Sequence, residues 1–232
     1  MSILRHIPII ATLSVGILLG NYNLSAQTHY NSRVSLGVKG GVELSRVFFN
    51  PSVRQKLPIG GVAGVGVRYV EESHFGLIAE ANFVQRGWEE NYENTDYQYR
   101  RTINYLEIPV LAHVYFGNRG KFFFNVGPEI SFALSESTNS NFDYNNVASI
   151  KNHPALKREY SELTTPIQNK IDFGICAGLG GEFNIATKHS VTLEARFYYG
   201  IGNIYKSGRR DPFRASNGMT IGITAGYWLR IK

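Results

Sequence analysis

The chain has 232 residues, 43% hydrophobic and 13% aromatic, with 24 glycines; it is too apolar to be mainly disordered, and it leans to β structure in one domain. Its formal net charge of +6 comes from bases that are dispersed apart from Arg209, Arg210 and Arg214, with no basic helix or RNA-binding signature, so nucleic acid is not expected as a partner. The single cysteine, Cys176, excludes an internal disulfide, and no Cys/His cluster has zinc-ligand spacing, so neither a metal nor another cofactor is expected.

The first element reads as an export signal over residues 1–26. Arg5 and His6 precede an apolar run from Ile7 to Gly20, and the small residues Ser25 and Ala26 lead into Gln27. That run is shorter than the roughly 20 residues a spanning helix needs, and no later stretch is long enough. Residues 27–232 are expected to form the mature domain, and any membrane crossing must use strands.

Eight segments then alternate apolar and polar residues with the period of 2 that marks a β-strand. They lie near 33–47, 59–71, 74–88, 101–116, 121–136, 169–186, 189–203 and 217–231. In the first, Val34, Leu36, Val38, Val42 and Leu44 oppose Ser35, Gly37, Lys39, Gly41 and Glu43. The sixth is the clearest: Ile171, Phe173, Ile175, Ala177 and Leu179 alternate with Asp172, Gly174, Cys176, Gly178 and Gly180. Several are about twice the usual strand length of 5–6 residues. Three connections are tight turns, "EESH", "GNRG" and "ATKH", whereas 49–58, 88–100, 136–168 and 202–217 are long and polar. Short turns at one end of the strands and long loops at the other are the plan of an all-β, eight-stranded antiparallel up-and-down transmembrane β-barrel.

The two faces decide which side meets lipid. The polar sides carry the acids Glu43, Glu80, Glu107, Glu129, Asp172, Glu182 and Glu194 and the bases Lys39, Arg68, Arg86 and Arg196, together with most strand glycines. A soluble lipocalin-like barrel would bury the apolar face instead. Glycines on a solvent face would weaken strands without compensation, while in a narrow interior they make room. Aromatics near strand ends on the apolar face, such as Tyr69, Phe116, Phe122 and Tyr227, fit interfacial girdles.

The segments "NYLEIPVLAHVYF", "KFFFNVGPEISFAL", "FGICAGLGGEFNI", "YYGIGNIY" and "MTIGITAGYWL" resemble the PorT-type outer-membrane β-barrel family of Bacteroidota over most of the mature chain. "YLEIP" and the turn to "VGPEI" are the most specific of these. The resemblance implies a barrel in the outer membrane of a Gram-negative cell, with periplasmic termini. Its partners would be outer-membrane lipids, lipopolysaccharide and the barrel assembly machinery. Most of that family has no assigned activity, and one branch assists type IX secretion.

Chemistry is sparsely written. Ser131, His113 and Glu129 offer the residue types of a hydrolase, but all three belong to inward faces and no G-x-S-x-G elbow is present. The inward charges are expected to pair into a lumen plug; a proton or cation path is the alternative, hinted at by the excess of acids. Pro154 is expected to start a short helix carrying Leu156, Tyr160 and Leu163 on one side. Candidate surface-recognition residues on the loops are Tyr97, Tyr99, Arg100, Tyr160, Arg209 and Arg210. The expected function is a non-enzymatic outer-membrane barrel with a structural, accessory or surface-binding role. A secretion accessory or a small lipid-modifying enzyme is the alternative.

Overall fold

Period-2 alternation carried over twelve or more residues commits a chain to sheet, and a sheet inside hydrocarbon cannot leave an edge unpaired. The computed structural model describes residues 32–71, 73–92, 95–150 and 161–232; the export-signal segment and Tyr160 lie outside them. The strands are β1 (Arg33–Asn50), β2 (Gln55–Lys56), β3 (Ile59–Val70), β4 (Phe75–Glu90), β5 (Tyr99–Gly117), β6 (Gly120–Ser140), β7 (Ile171–Ala186), β8 (His189–Gly200) and β9 (Ala215–Arg230). Every pairing is antiparallel. β1 pairs with both β3 and β9, successive strands pair onward, and β4 pairs with β5 to close the ring. Eight long strands make the barrel; the two-residue β2 only extends the sheet at the loop end of β4, with Gln55 opposite Glu90. Among the described residues, no helix is long and apolar enough to cross a membrane.

The register sorts side chains as the alternation requires. On β7, Leu179 is 53% exposed and Cys176 is 0% exposed, so odd positions face out and even positions face in. The same holds around the ring: Leu36, Val65, Leu77, Val110, Phe124, Leu193 and Ile223 all lie on the exterior. A continuous apolar exterior around a charged interior inverts the soluble arrangement and suits hydrocarbon as the outer solvent.

Two details show why particular residues stand where they do. Gly117 closes the β5–β6 turn at φ 106°, a backbone region that L side chains rarely adopt. On β1, a Cβ at Gly37 would fall 2.5 Å from the Trp228 ring, so the glycine lets an indole lie flat inside a narrow barrel. The motifs "YLEIP" and "VGPEI" meet across β5 and β6, with Ile108 opposite Ile130 and Pro109 opposite Glu129. Just beyond, the ladder is interrupted between Pro109/Glu129 and Ala112/Val126, where Pro128 has no N–H to donate.

Strict alternation from Glu129 and Ser131 would place Ser135 on the inward face, but a bulge overturns that. The β5–β6 register shifts at Asn104/Tyr105, and the extra residue turns Ser135 to the exposed side, where Asn104 Nδ2 donates to its Oγ at 2.9 Å. Leu134 remains exposed and Glu136 turns inward to meet Arg101. The helix expected from Pro154 falls mostly outside the described residues. What is described there is the short α1 (Ser161–Thr164), whose Leu163 is buried.

Because the faces of β7 have opposite environments, they have opposite tolerances. Leu179→Arg is expected to cost about 2–4 kcal/mol by placing a charge toward the hydrocarbon midplane. Gly180→Leu is expected to cost about 1–3 kcal/mol by overpacking, since a Cβ there already falls 2.6 Å from Phe123. Urea titration of the barrel folded in liposomes measures both, and a lipid-phase label should reach a cysteine at position 179 and miss Cys176. The reverse labelling would invert the barrel.

Candidate functional site

The middle of the lumen is filled with charged side chains from facing strands. Nearest the tight turns, Arg68 pairs with Glu182, and Lys121 Nζ lies 3.3 Å from the same carboxylate. Arg68 also stands over the Trp228 ring at 4.8 Å. Further in, Glu80 accepts from Lys39 at 2.5 Å and from Arg196 at 2.6 Å. Arg196 in turn pairs with Glu194 at 2.8 Å. Asn125 joins this group to His113: its Nδ2 donates to Glu194 Oε1 at 2.9 Å. Its Oδ1 must therefore accept from His113 Nδ1, 2.7 Å away, which fixes the histidine tautomer.

Toward the loop end, Arg86 stands among three carboxylates. Glu129 is 2.8 Å away and Glu43 3.8 Å away, with Glu107 in direct contact. The guanidinium lies 4.1 Å from the centre of the Tyr198 ring, and the Tyr198 hydroxyl donates to Asp172 at 2.9 Å. A buried charge persists when it is paired and hydrogen-bonded, and the lumen residues singled out in the sequence meet that condition unequally: Asp172 is held by the Tyr198 hydroxyl, and Glu43 Oε2 and Arg86 Nε, 3.8 Å apart, make no hydrogen bond. Lys121 belongs to the set as well. The alternation of β6 marks it as inward, one step before Phe123, but its position beside a turn hides that.

Above Arg86 the chemistry changes from ionic to apolar. Val47, Phe49, Trp88, Tyr99, Ile103 and Tyr105, from the loop ends of β1, β4 and β5, form one buried cluster with residues from all four long loops. The loops contribute Val53 after β1, Tyr92 after β4, Val147, Leu163 and Ile167 between β6 and β7, and Ile204, Tyr205 and Phe213 after β8. Phe49 meets Trp88 edge-on at 5.3 Å and Phe213 at 4.8 Å. Arg101 ties this cap together: its Nη1 donates to Thr165 O at 2.6 Å, Glu162 O at 3.1 Å and Tyr205 Oη at 3.1 Å, and its Nη2 lies 3.2 Å from Glu136. Burial pushes the proton affinity of the Tyr205 hydroxyl above the usual tyrosine range, so it stays protonated and can donate to Thr165 O, 3.3 Å away.

The candidate recognition residues divide. Arg209 and Arg210 are exposed beside a turn in which Gly208 N donates to Asp211 at 2.7 Å. Arg100 is half-buried and donates to Ile59 O at 2.5 Å, and Tyr97 packs edge-on to Phe142 at 5.4 Å. Tyr99 is not a surface residue. β5 starts at this position, so alternation sends Tyr99 and Arg101 inward and Arg100 outward, and the Tyr99 hydroxyl donates to Leu163 O at 3.0 Å. The hydrolase trio does not assemble either. Ser131 is opposite Glu107 and His113 is opposite Asn125, six residues apart on β5, or roughly 20 Å at strand rise. Among the described residues, no cluster of His, Cys, Asp and Glu is suited to a metal ion.

Residues 25–206 match the outer membrane protein beta-barrel domain, and the chain belongs to that family. Among curated proteins, none matches the sequence. Of solved structures, the outer membrane protein OprG from Pseudomonas aeruginosa is similar at TM-score 0.50 and 8% identity, over 86% of this chain and 95% of that one. Neisserial surface protein A aligns at TM-score 0.47 and 9% identity, over 84% of this chain and 96% of that one. The outer membrane enzyme PagL aligns at TM-score 0.36 and 14% identity, over 82% and 97%. At such identities the likeness concerns the fold alone.

The arrangement around Arg86 makes a sharp prediction. Arg86→Ala would leave three carboxylates facing one another without their cation, at a cost of about 3–5 kcal/mol, read as a lower urea midpoint in nanodiscs. The unmodified protein in planar bilayers is expected to show no sustained large conductance, and stable wide openings would contradict a filled lumen.

Proposed function

From membership in the outer membrane β-barrel family, we propose that this chain is a non-enzymatic barrel closed to solutes, whose loop end faces the cell exterior as a preordered binding surface. Both chain termini then lie on the periplasmic side. The cap carries this reading. Loops that guard an open channel need not share a core, whereas here every long loop sends buried apolar side chains into one cluster, which limits their motion and lowers the entropy lost on binding.

The chemistry of the partner follows from what that surface exposes. The loop held by Ile204, Tyr205 and Phe213 displays Lys206, Arg209, Arg210 and Arg214, with Asp211 the one acid among them. On the outer wall at the same end, Arg46 lies 5.8 Å over the Phe48 ring and Arg100 points away from the lumen. Cations at the rim, with an uncharged apolar belt beneath, suit the phosphates of lipopolysaccharide. The narrower kinship with PorT-type barrels rests on the paired "YLEIP" and "VGPEI" motifs. A lipid-modifying role finds no support in the separated Ser131 and His113.

Nanodisc-held protein is expected to bind immobilised lipopolysaccharide, and Arg209→Glu/Arg210→Glu to weaken that binding by roughly tenfold through reversal of an exposed charge pair. Unchanged binding by the variant, or equal binding to dephosphorylated lipopolysaccharide, would sink the proposal.

A further inference from the structure

The two ends of the lumen differ. The loop end is sealed by the apolar cap, but at the turn end the interior opens into a basin of about 30 Å³. Among the described residues its charged lining is Arg33, Arg68, Lys121, Lys188, Arg230 and the carboxylate Glu182, and Arg33 has a partner of its own. The five cations come from β1, β3, β6, the β7–β8 turn and β9, so they converge on the opening from around the ring.

Glu182 is already committed, because Arg68 and Lys121 both pair with it. Glu71, just beyond β3, is hydrogen-bonded to Tyr69 on the outer wall and does not line the basin. Among the described residues, neither the Lys188 ammonium nor the Arg230 guanidinium has a carboxylate partner. The floor is built rather than incidental. Arg68 is buried, held between Glu182 and the Trp228 ring, and Ser35, Ser190 and His113 are buried lining residues around it.

A concave site with such an excess of positive charge focuses potential onto its mouth. We propose that this basin binds a phosphate-type oxyanion. The enclosed space is about that of one or two ligand oxygens, with the remainder of a tetrahedral group at the open mouth between Lys188 and Arg230. Guanidinium groups match phosphate oxygens two at a time. The barrel wall surrounds the basin on every side except along its axis, which admits a compact group and not an extended chain. The phosphate can come from a soluble anion or from a phospholipid headgroup at the rim. This inference is independent of the lipopolysaccharide reading, which concerns the opposite end.

The test uses purified full-length barrel in a neutral sugar detergent, with the thermal midpoint followed by the loss of heat-modifiable migration. Inorganic phosphate is expected to raise the midpoint by on the order of 5 °C over chloride at equal ionic strength. Lys188→Gln/Arg230→Gln should abolish most of that rise, and Arg209→Gln/Arg210→Gln should retain it. Lys188→Gln alone, at an exposed turn, should reduce the rise and covers the case in which the double variant does not fold. In phosphatidylglycerol nanodiscs, a further rise with phosphate identifies the soluble anion as ligand. Protection by the lipid itself, lost in the Lys188 variant and not increased by phosphate, identifies the headgroup. A rise equal to that in chloride, or one that survives the Lys188 and Arg230 substitutions, overturns the proposal.

Discussion

A sheet that closes on itself has an inside of fixed volume, and once β4 pairs with β5 every side chain of the eight long strands must be assigned either to that volume or to the exterior. Closure also satisfies the backbone without help from solvent, which allows the exterior to be wholly apolar. The assignment is rigid because the strand period is 2, and a slip of one residue would exchange the faces. Trp228 inside, against Gly37, and Leu179 outside are thus two consequences of the same closure.

The interior that results is polar but tightly paired. Its cations are shared. Arg86 serves three carboxylates, Arg196 serves two, and Glu182 accepts from both Arg68 and Lys121. Sharing of this kind couples strands distant in the chain: Arg196 on β8 reaches Glu80 on β4 across the lumen at 2.6 Å. Hydrocarbon outside cannot reward burial as water does for a soluble core, so cross-lumen bonds, together with the wall ladder, hold the ring to one shape.

The barrel was legible in the sequence because its rule is local. Alternation from Ile171 to Glu182 and the split between tight turns and long loops needed no knowledge of contacts, and the inward acids and bases followed by parity. Parity also reaches further than the membrane. It places Tyr99 and Arg101 inside once β5 is seen to begin at Tyr99, and it places Lys121 inside as soon as β6 begins at Gly120. The cap was not legible. Val53, Ile204 and Phe213 lie in stretches with no period, and only the folded mouth of the barrel brings them together with Leu163. The bulge that turns Ser135 outward was hidden for the same reason, since nothing in "FALSES" marks an extra residue.

The anchoring of the loops divides their positions into two classes under very different constraint. Ile204, Tyr205 and Phe213 are held in the cap, while Lys206, Arg209 and Arg210 between them are exposed. An exchange at an anchor disturbs a core shared by four loops, whereas an exchange between anchors alters only what the surface displays. Such a mouth can drift in sequence, take insertions or accept grafted peptides between its fixed points while the barrel beneath stays the same. Anchoring of this type separates change at the exposed loop positions from change in insertion and stability.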